Sequence, residues 1–263
     1  MGERTEKNSY TLIFAIGMVL VVGALLAYMA SSLKPTISEN ERLEKQQNIL
    51  YAMGVNDNDE TSAVFISTDK APEAFNTYIK EQLVLTVDAE GNNIKKQTRD
   101  EYVAEYNKEP YLIDIKKQKS NAKKGEPRQL PLFVGEKDGK TYYIAPIYGK
   151  GLWDAIWGYV SMDADMVVQG AYFDHKGETP GLGANIKQRY FMDDFYGEHL
   201  LTKAGVFKGI TVAKGNADPK NENKTDNEVD ALAGATITGD GVTAMIKNDL
   251  KLYVPYFKSL NID

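Results

Sequence analysis

The uncharged apolar run Leu12 to Ala30 constrains this chain more than any other stretch. Its 19 residues reach about 28 Å as a helix, close to the ~30 Å hydrocarbon thickness of a bilayer. A secretory signal competes with this reading, because Ala27-Tyr-Met-Ala30 loosely mimics a cleavage site. The run is longer than the usual signal core, so a retained membrane anchor is favoured. Arg4 and Lys7 precede it, offset by Glu3 and Glu6, while Lys34, Arg42 and Lys45 follow closely. Charge therefore sets orientation poorly.

With 263 residues, the chain can add one or two compact domains to the anchor. A net charge of -6 offers no electrostatic footprint for nucleic acid. No Cys is present, which excludes disulfides, thiolate-held iron–sulfur clusters and cysteinyl flavin links. His175 and His199 are the two histidines, too few for a multi-His metal or haem site.

Pro35 is expected to stop the membrane helix, and Thr36-Ile-Ser-Glu39 reads as a capping box opening a second, stalk helix that ends near Gly54. Asn56 to Glu60 lacks the central Gly and distal Glu of a calcium loop and reads as a solvated loop. Ala71 to Gln82 is helical by composition, and Leu83 to Asp88 alternates as a strand before the turn at Glu90-Gly-Asn92. Lys95 to Pro127 reads as an exposed, charged insertion of short elements. Leu130 to Val134 and Thr141 to Ala145 flank the hairpin signal Glu136-Lys-Asp-Gly-Lys140. Tyr159 to Met162 and Met166 to Phe173 are strands by their aromatic and β-branched content, and Phe191 to Leu200 reads as helix. Helices and strands mix without βαβ alternation, so the fold class is α+β.

Three stretches could carry chemistry. In Asp230-Ala-Leu-Ala-Gly-Ala-Thr-Ile-Thr-Gly-Asp-Gly-Val242, small residues and hydroxyls precede the helical spacing Val242, Met245, Ile246, Leu250. Gly234 and Ala235 permit close backbone approach, and Thr236 and Thr238 sit where a helix N-terminus favours an anion. The stretch is either a phosphate cradle with an esterifiable hydroxyl or an ordinary capped helix. It has neither the Lys of a Walker loop nor dinucleotide glycine spacing. Tyr148-Gly-Lys-Gly-Leu-Trp153 could present Leu152 and Trp153 to a planar ligand, or form a turn before core residues. Glu178-Thr-Pro-Gly-Leu-Gly-Ala184 is a shaped loop with exposed N–H groups, or a surface turn.

Asp230-Ala-Leu-Ala-Gly-Ala-Thr236 resembles the flavinylation motif of the FMN-binding domain family, an Asp followed by Ser/Thr-Gly-Ala-Thr. The other two stretches resemble that family's Gly-x-Gly-Leu-Trp segment and Glu-Thr-Pro-Gly-Leu-Gly loop. Ala233 departs from the motif where Ser or Thr is usual. Over nearly its full length the chain resembles the C-subunit family of sodium-translocating NADH:quinone oxidoreductases. The G subunit of the ferredoxin-linked complex is the nearest confusable relative.

The resemblance implies that Thr236 carries covalent FMN as a phosphoester, attached by a flavin transferase, with Asp230, Gly234 and Ala235 completing the motif. Leu152, Trp153, Glu178, Thr179 and Leu182 would line the isoalloxazine ring, and backbone at Gly181 and Gly183 would meet its polar edge. Thr238 would bond a phosphate oxygen at a helix beginning near Gly239, and Lys214 is a possible cationic partner, against the plainer reading of a solvated lysine. No residue of this chain is assigned a catalytic role or a metal, and no nicotinamide site is visible.

The implied plan is a cytoplasmic segment 1–11, a transmembrane helix 12–30, a stalk 31–55, an α+β part 56–135 and an FMN-binding domain 136–263. The bulk would lie in the periplasm, on a bacterial inner membrane, beside the other subunits of the complex. A noncovalent ligand-binding module and a purely structural stalk subunit are the readings from other classes.

Overall fold

In a computed structural model, residues 8–88, 90–215, 218 and 220–260 are described. The charged Arg4 and Lys7 of the expected cytoplasmic segment lie outside them. The chain divides into two compact units, 1–43 and 44–263, and the division falls inside the first helix.

Helix α1 spans Asn8–Ala52 and runs through Pro35 without a break. Pro35 forfeits one backbone bond, but ending the helix there would require nucleating a new one, which is unfavourable. The expected stop at Pro35 and the capping box at Thr36 are therefore not formed. Glu39 instead accepts from Arg42 Nη2 at 2.5 Å and Nε at 2.9 Å. Apolar side chains such as Leu12, Ile13, Leu20 and Leu26 are exposed, and α1 is long and apolar enough to cross a membrane. Its last residues, Ile49 to Ala52, are buried in the core of the second unit.

That unit continues with α2 (Ala71–Tyr78), β1 (Ile79–Val87), β2 (Asn93–Thr98), α3 (Arg99–Tyr106), α4 (Ile115–Ala122), β3 (Arg128–Lys137), β4 (Lys140–Lys150), β5 (Ala155–Met162) and β6 (Val168–His175). After α5 (Arg189–Asp193), the short strands β7 (Thr211–Val212) and β8 (Glu228–Val229) precede α6 (Thr236–Leu250) and α7 (Val254–Leu260). Strands β1 to β6 form one antiparallel sheet in the order β2-β1-β3-β4-β5-β6, as an α+β domain requires. The β3–β4 turn places Asp138 and Gly139 at positive φ, 53° and 73°, the conformation of the tight hairpin that the sequence signals. β2 forms one edge and carries exposed lysines 95 and 96, which discourage edge pairing.

Several boundaries differ from expectation. α2 stops at Tyr78, four residues before Gln82, because β1 already pairs with β3 from Ile79. The expected helix Phe191 to Leu200 shrinks to α5: Gly197 turns the chain at φ 81°, and its N–H donates to Val168 O at 2.8 Å. Sheet-edge pairing thus outcompetes local helix propensity.

α6 packs on β4 with Val242, Met245, Ile246 and Leu250 buried on one face. Each contributes roughly 1.5–3 kcal/mol through burial. Gly149 and Gly241 allow this close packing, since a Cβ at Gly149 would stand 2.8 Å from Met245 Cβ and one at Gly241 would strike Lys150 O. Asp249 locks the other end. Fully buried, it accepts from Arg128 Nη2 at 3.0 Å, from Tyr148 N at 2.8 Å and pairs with Lys119 Nζ at 2.9 Å.

Candidate functional site

Three segments meet at one end of the sheet. Gly151 to Asp154 form the turn joining β4 to β5, closed by Gly151 N–H donating to Asp154 O at 2.9 Å. The loop Glu178 to Gly183 follows β6, whose last residue, His175, pairs with Ile156 of β5. The N-terminus of α6 arrives beside them because α6 packs along β4.

The Glu178 carboxylate joins all three. It is 4% exposed; Oε2 accepts from Thr238 Oγ1 at 2.6 Å and Oε1 from Trp153 N at 3.0 Å. Burial alone would raise its pKa. The Thr238 hydroxyl and the backbone N–H groups of Trp153, Asp154 and Leu152 prevail and hold it below the ordinary glutamate value. Glycines make room for it: a Cβ at Gly151 would lie 2.5 Å from Oε1, and one at Gly183 would strike Oε2 and stand 2.5 Å from Thr238 Oγ1. The loop itself is closed by Leu182 and Ala184 N–H donating to Thr179 O, both at 3.1 Å, with Gly181 at φ 77°.

Above this buried clasp lies an exposed apolar patch. Leu152, Trp153, Leu182 and Ile237 are all exposed, Trp153 by 67%. The Trp153 indole donates Nε1–H to the exposed Thr179 hydroxyl at 3.2 Å. Leu182 lies against Gly234, where an added Cβ would come within 2.8 Å of Leu182 Cδ2 and where φ is 67°. Glycine is required there on both counts.

Thr236 is the first residue of α6 and is exposed. The helix thus begins three residues earlier than Gly239, and both threonines belong to its first turn. Gly239 N–H reaches back to Ala235 O at 3.0 Å, so the amides of residues 236 to 238 are those at the open, positive end. Thr238, two residues on, points inward and is 1% exposed. Its hydroxyl donates inward to the buried Glu178 carboxylate, a charged and therefore strong acceptor, rather than outward from the helix end. Glu178 likewise stands beneath the patch rather than on its surface. Ala235 is buried and Gly234 exposed.

Asp230 and Lys214 each engage a carboxylate-bearing neighbour. Asp230 is half-buried, its N–H donates to Asp194 Oδ2 at 2.8 Å, and burial followed by the charges of Asp194 and Asp218 raises its pKa. Lys214 pairs with Asp240 at 3.2 Å in the exposed first turns of α6, so its charge is already engaged by a carboxylate. Among the described residues no cluster of His, Cys, Asp and Glu could hold a metal ion. Ile237 joins the patch without a local sequence signal, whereas Gly151 belongs to the Gly-x-Gly-Leu-Trp segment.

Residues 151–251, which contain all three segments, match the FMN-binding domain family. The C subunit of the Na+-translocating NADH-quinone reductase of Pseudomonas aeruginosa is 31% identical over 92% of this chain and 90% of its own. The corresponding C subunit from Neisseria meningitidis serogroup A is 30% identical over 99% and 98%. A crystal structure of the C subunit from Parabacteroides distasonis superposes with a TM-score of 0.66 at 31% identity, covering 86% of this chain and 96% of that one. Identity at this level over nearly the whole of both chains means that the chain belongs to the C-subunit family of Na+-translocating NADH-quinone reductases.

Proposed function

We propose that this chain is the FMN-carrying electron-transfer subunit of a membrane complex that couples NADH oxidation and quinone reduction to sodium export. In this reading a flavin transferase links FMN by phosphoester to Thr236, and the second unit faces the periplasm of a bacterial inner membrane. The observation that carries the reading is the placement of Thr236. Its exposed hydroxyl opens α6, beside the exposed Leu152, Trp153, Leu182 and Ile237.

The residues present fit FMN. The first amides of α6 and its dipole would hold the remaining phosphodiester charge. The apolar patch offers a planar ring the burial that its own side chains lack. Trp153 and Thr179 hold each other in place at its border, and Glu178 fixes the loop, the turn and the helix to one another from below. FMN supplies the redox chemistry when bound; the protein positions it and tunes its surroundings. Electron relay needs no nucleophile or general base from the chain.

The test is the intact and peptide mass of the chain purified from its native membrane. A gain of FMN less one water, located on the peptide containing Thr236 and lost in Thr236→Ala without loss of fold, is expected. Flavin that departs on denaturation would favour a noncovalent module, for which Ala233 is the motivating residue: it is exposed and lacks the motif's hydroxyl. A reporter fused at Asp263 and active only in the cytoplasm would overturn the periplasmic placement.

A further inference from the structure

Next to the apolar patch, α4, the end of β4 and the side of α6 that meets β4 line a groove of about 620 Å³. Lys116, Lys119 and Lys123 line it at helical spacing, and Lys150 at the end of β4 lines it too. Against these four lysines the lining contains one carboxylate, Asp154, which already pairs with Lys176 at 3.1 Å. Lys119 turns inward to the buried Asp249, whereas Lys116, Lys123 and Lys150 are exposed. The floor is apolar and small, with Gly149, Ala244 and Met245. Trp153 borders both this groove and the patch beside Thr236.

This basic concentration stands out on a chain whose net charge is -6. A solvated lysine face needs no groove, no apolar floor and no shared tryptophan. Electron-transfer encounters bury little area and rely on complementary charge to steer and orient the partners.

We propose that the groove docks an acidic segment of the redox partner that exchanges electrons with this chain, placing it against Trp153. The proposal rests on the flavin reading above. The partner is oxidised as this chain's flavin is reduced, or reduced as that flavin is reoxidised, so donor and acceptor balance within the pair. The exposed Lys116, Lys123 and Lys150 steer the approach, and Trp153 forms the shared border between docked segment and flavin.

The experiment uses the whole complex in its native membrane, with the triple substitution Lys116→Glu, Lys123→Glu and Lys150→Glu. None of the three lies in the flavin patch or the Asp249 network, so covalent flavin measured by peptide mass should match the wild type. At low ionic strength, flavin reduction after NADH addition, or its reoxidation by quinone, should slow at least tenfold. Raising the salt should bring the wild type down towards the variant. The corresponding triple Gln variant should fall between them, which separates charge from misfolding. Retention of partner subunits in mild detergent provides a second readout that does not depend on flavin, and it should weaken in the Glu variant.

Unchanged rates in both directions together with unchanged retention would overturn the proposal. So would a variant whose only defect is a lost response to anionic lipid, since the groove would then read a membrane surface. A wild-type chain without flavin would instead sink the flavin reading, leaving the retention measurement to decide the groove.

Discussion

Glu178 holds three segments together, and its removal should show this in both stability and loading. Glu178→Ala deletes the acceptor of the Thr238 hydroxyl at 2.6 Å and of the Trp153 amide at 3.0 Å. Hydrogen bonds to a charged group contribute about 1.5–3 kcal/mol each, and buried donors left without a partner add their desolvation cost. The two bonds share one carboxylate and are not additive, so a loss of about 3–4 kcal/mol is expected. For a domain of this size that corresponds to a fall in Tm of roughly 6–16 °C. Glu178→Gln keeps the shape and one acceptor oxygen while losing the charge, and should cost about 1–2 kcal/mol.

The sign of the pH dependence follows from the depressed pKa. The stabilisation is present above the ordinary glutamate pKa of 4.5 and is lost as pH falls through the lower folded value. Thermal unfolding of the full chain in detergent, followed by near-UV circular dichroism, reads the stability. Peptide mass reads covalent flavin, which should decline in Glu178→Ala because the patch loses its support. Equal Tm values for wild type, Ala and Gln variants would refute the clasp, since a carboxylate that fastens nothing can be removed without consequence.

Two further predictions concern buried charges away from the patch. Asp249→Ala leaves the buried Arg128 without its partner and frees Tyr148 N–H, so it should destabilise by about 3–5 kcal/mol in urea unfolding; a variant as stable as wild type would discount the network. Glu198 is fully buried, with Lys224 Nζ no closer than 3.7 Å, and burial pushes its pKa up to about 7. Its folded value exceeds the unfolded one, so stability present below pH 4.5 declines as pH rises through 7, by about 3 kcal/mol. Glu198→Gln should flatten that decline and exceed the wild type in urea midpoint at pH 8; a pH-independent wild type would contradict it.

The sequence determined what depends on neighbours along the chain. The length and composition of Leu12 to Ala30 mark a helix able to cross a membrane, and Asp138-Gly139 marks a hairpin whose positive φ values only a few residues accept. The three glycine-containing segments were legible as loops and a helix start, because turn chemistry is local. Tertiary structure decided how those segments are used. Thr236 and Thr238 look equivalent as text, yet a helix turns about 200° in two residues, so one hydroxyl faces solvent and the other faces Glu178, 60 residues away. Phe191 to Leu200 carries helical propensity, but pairing with the β6 edge claims its second half. Asp249 reads as a polar residue on a helix until Arg128, 121 positions earlier, is folded against it. Burial and pairing of this kind arise from contacts between segments distant in sequence, and no local pattern contains them.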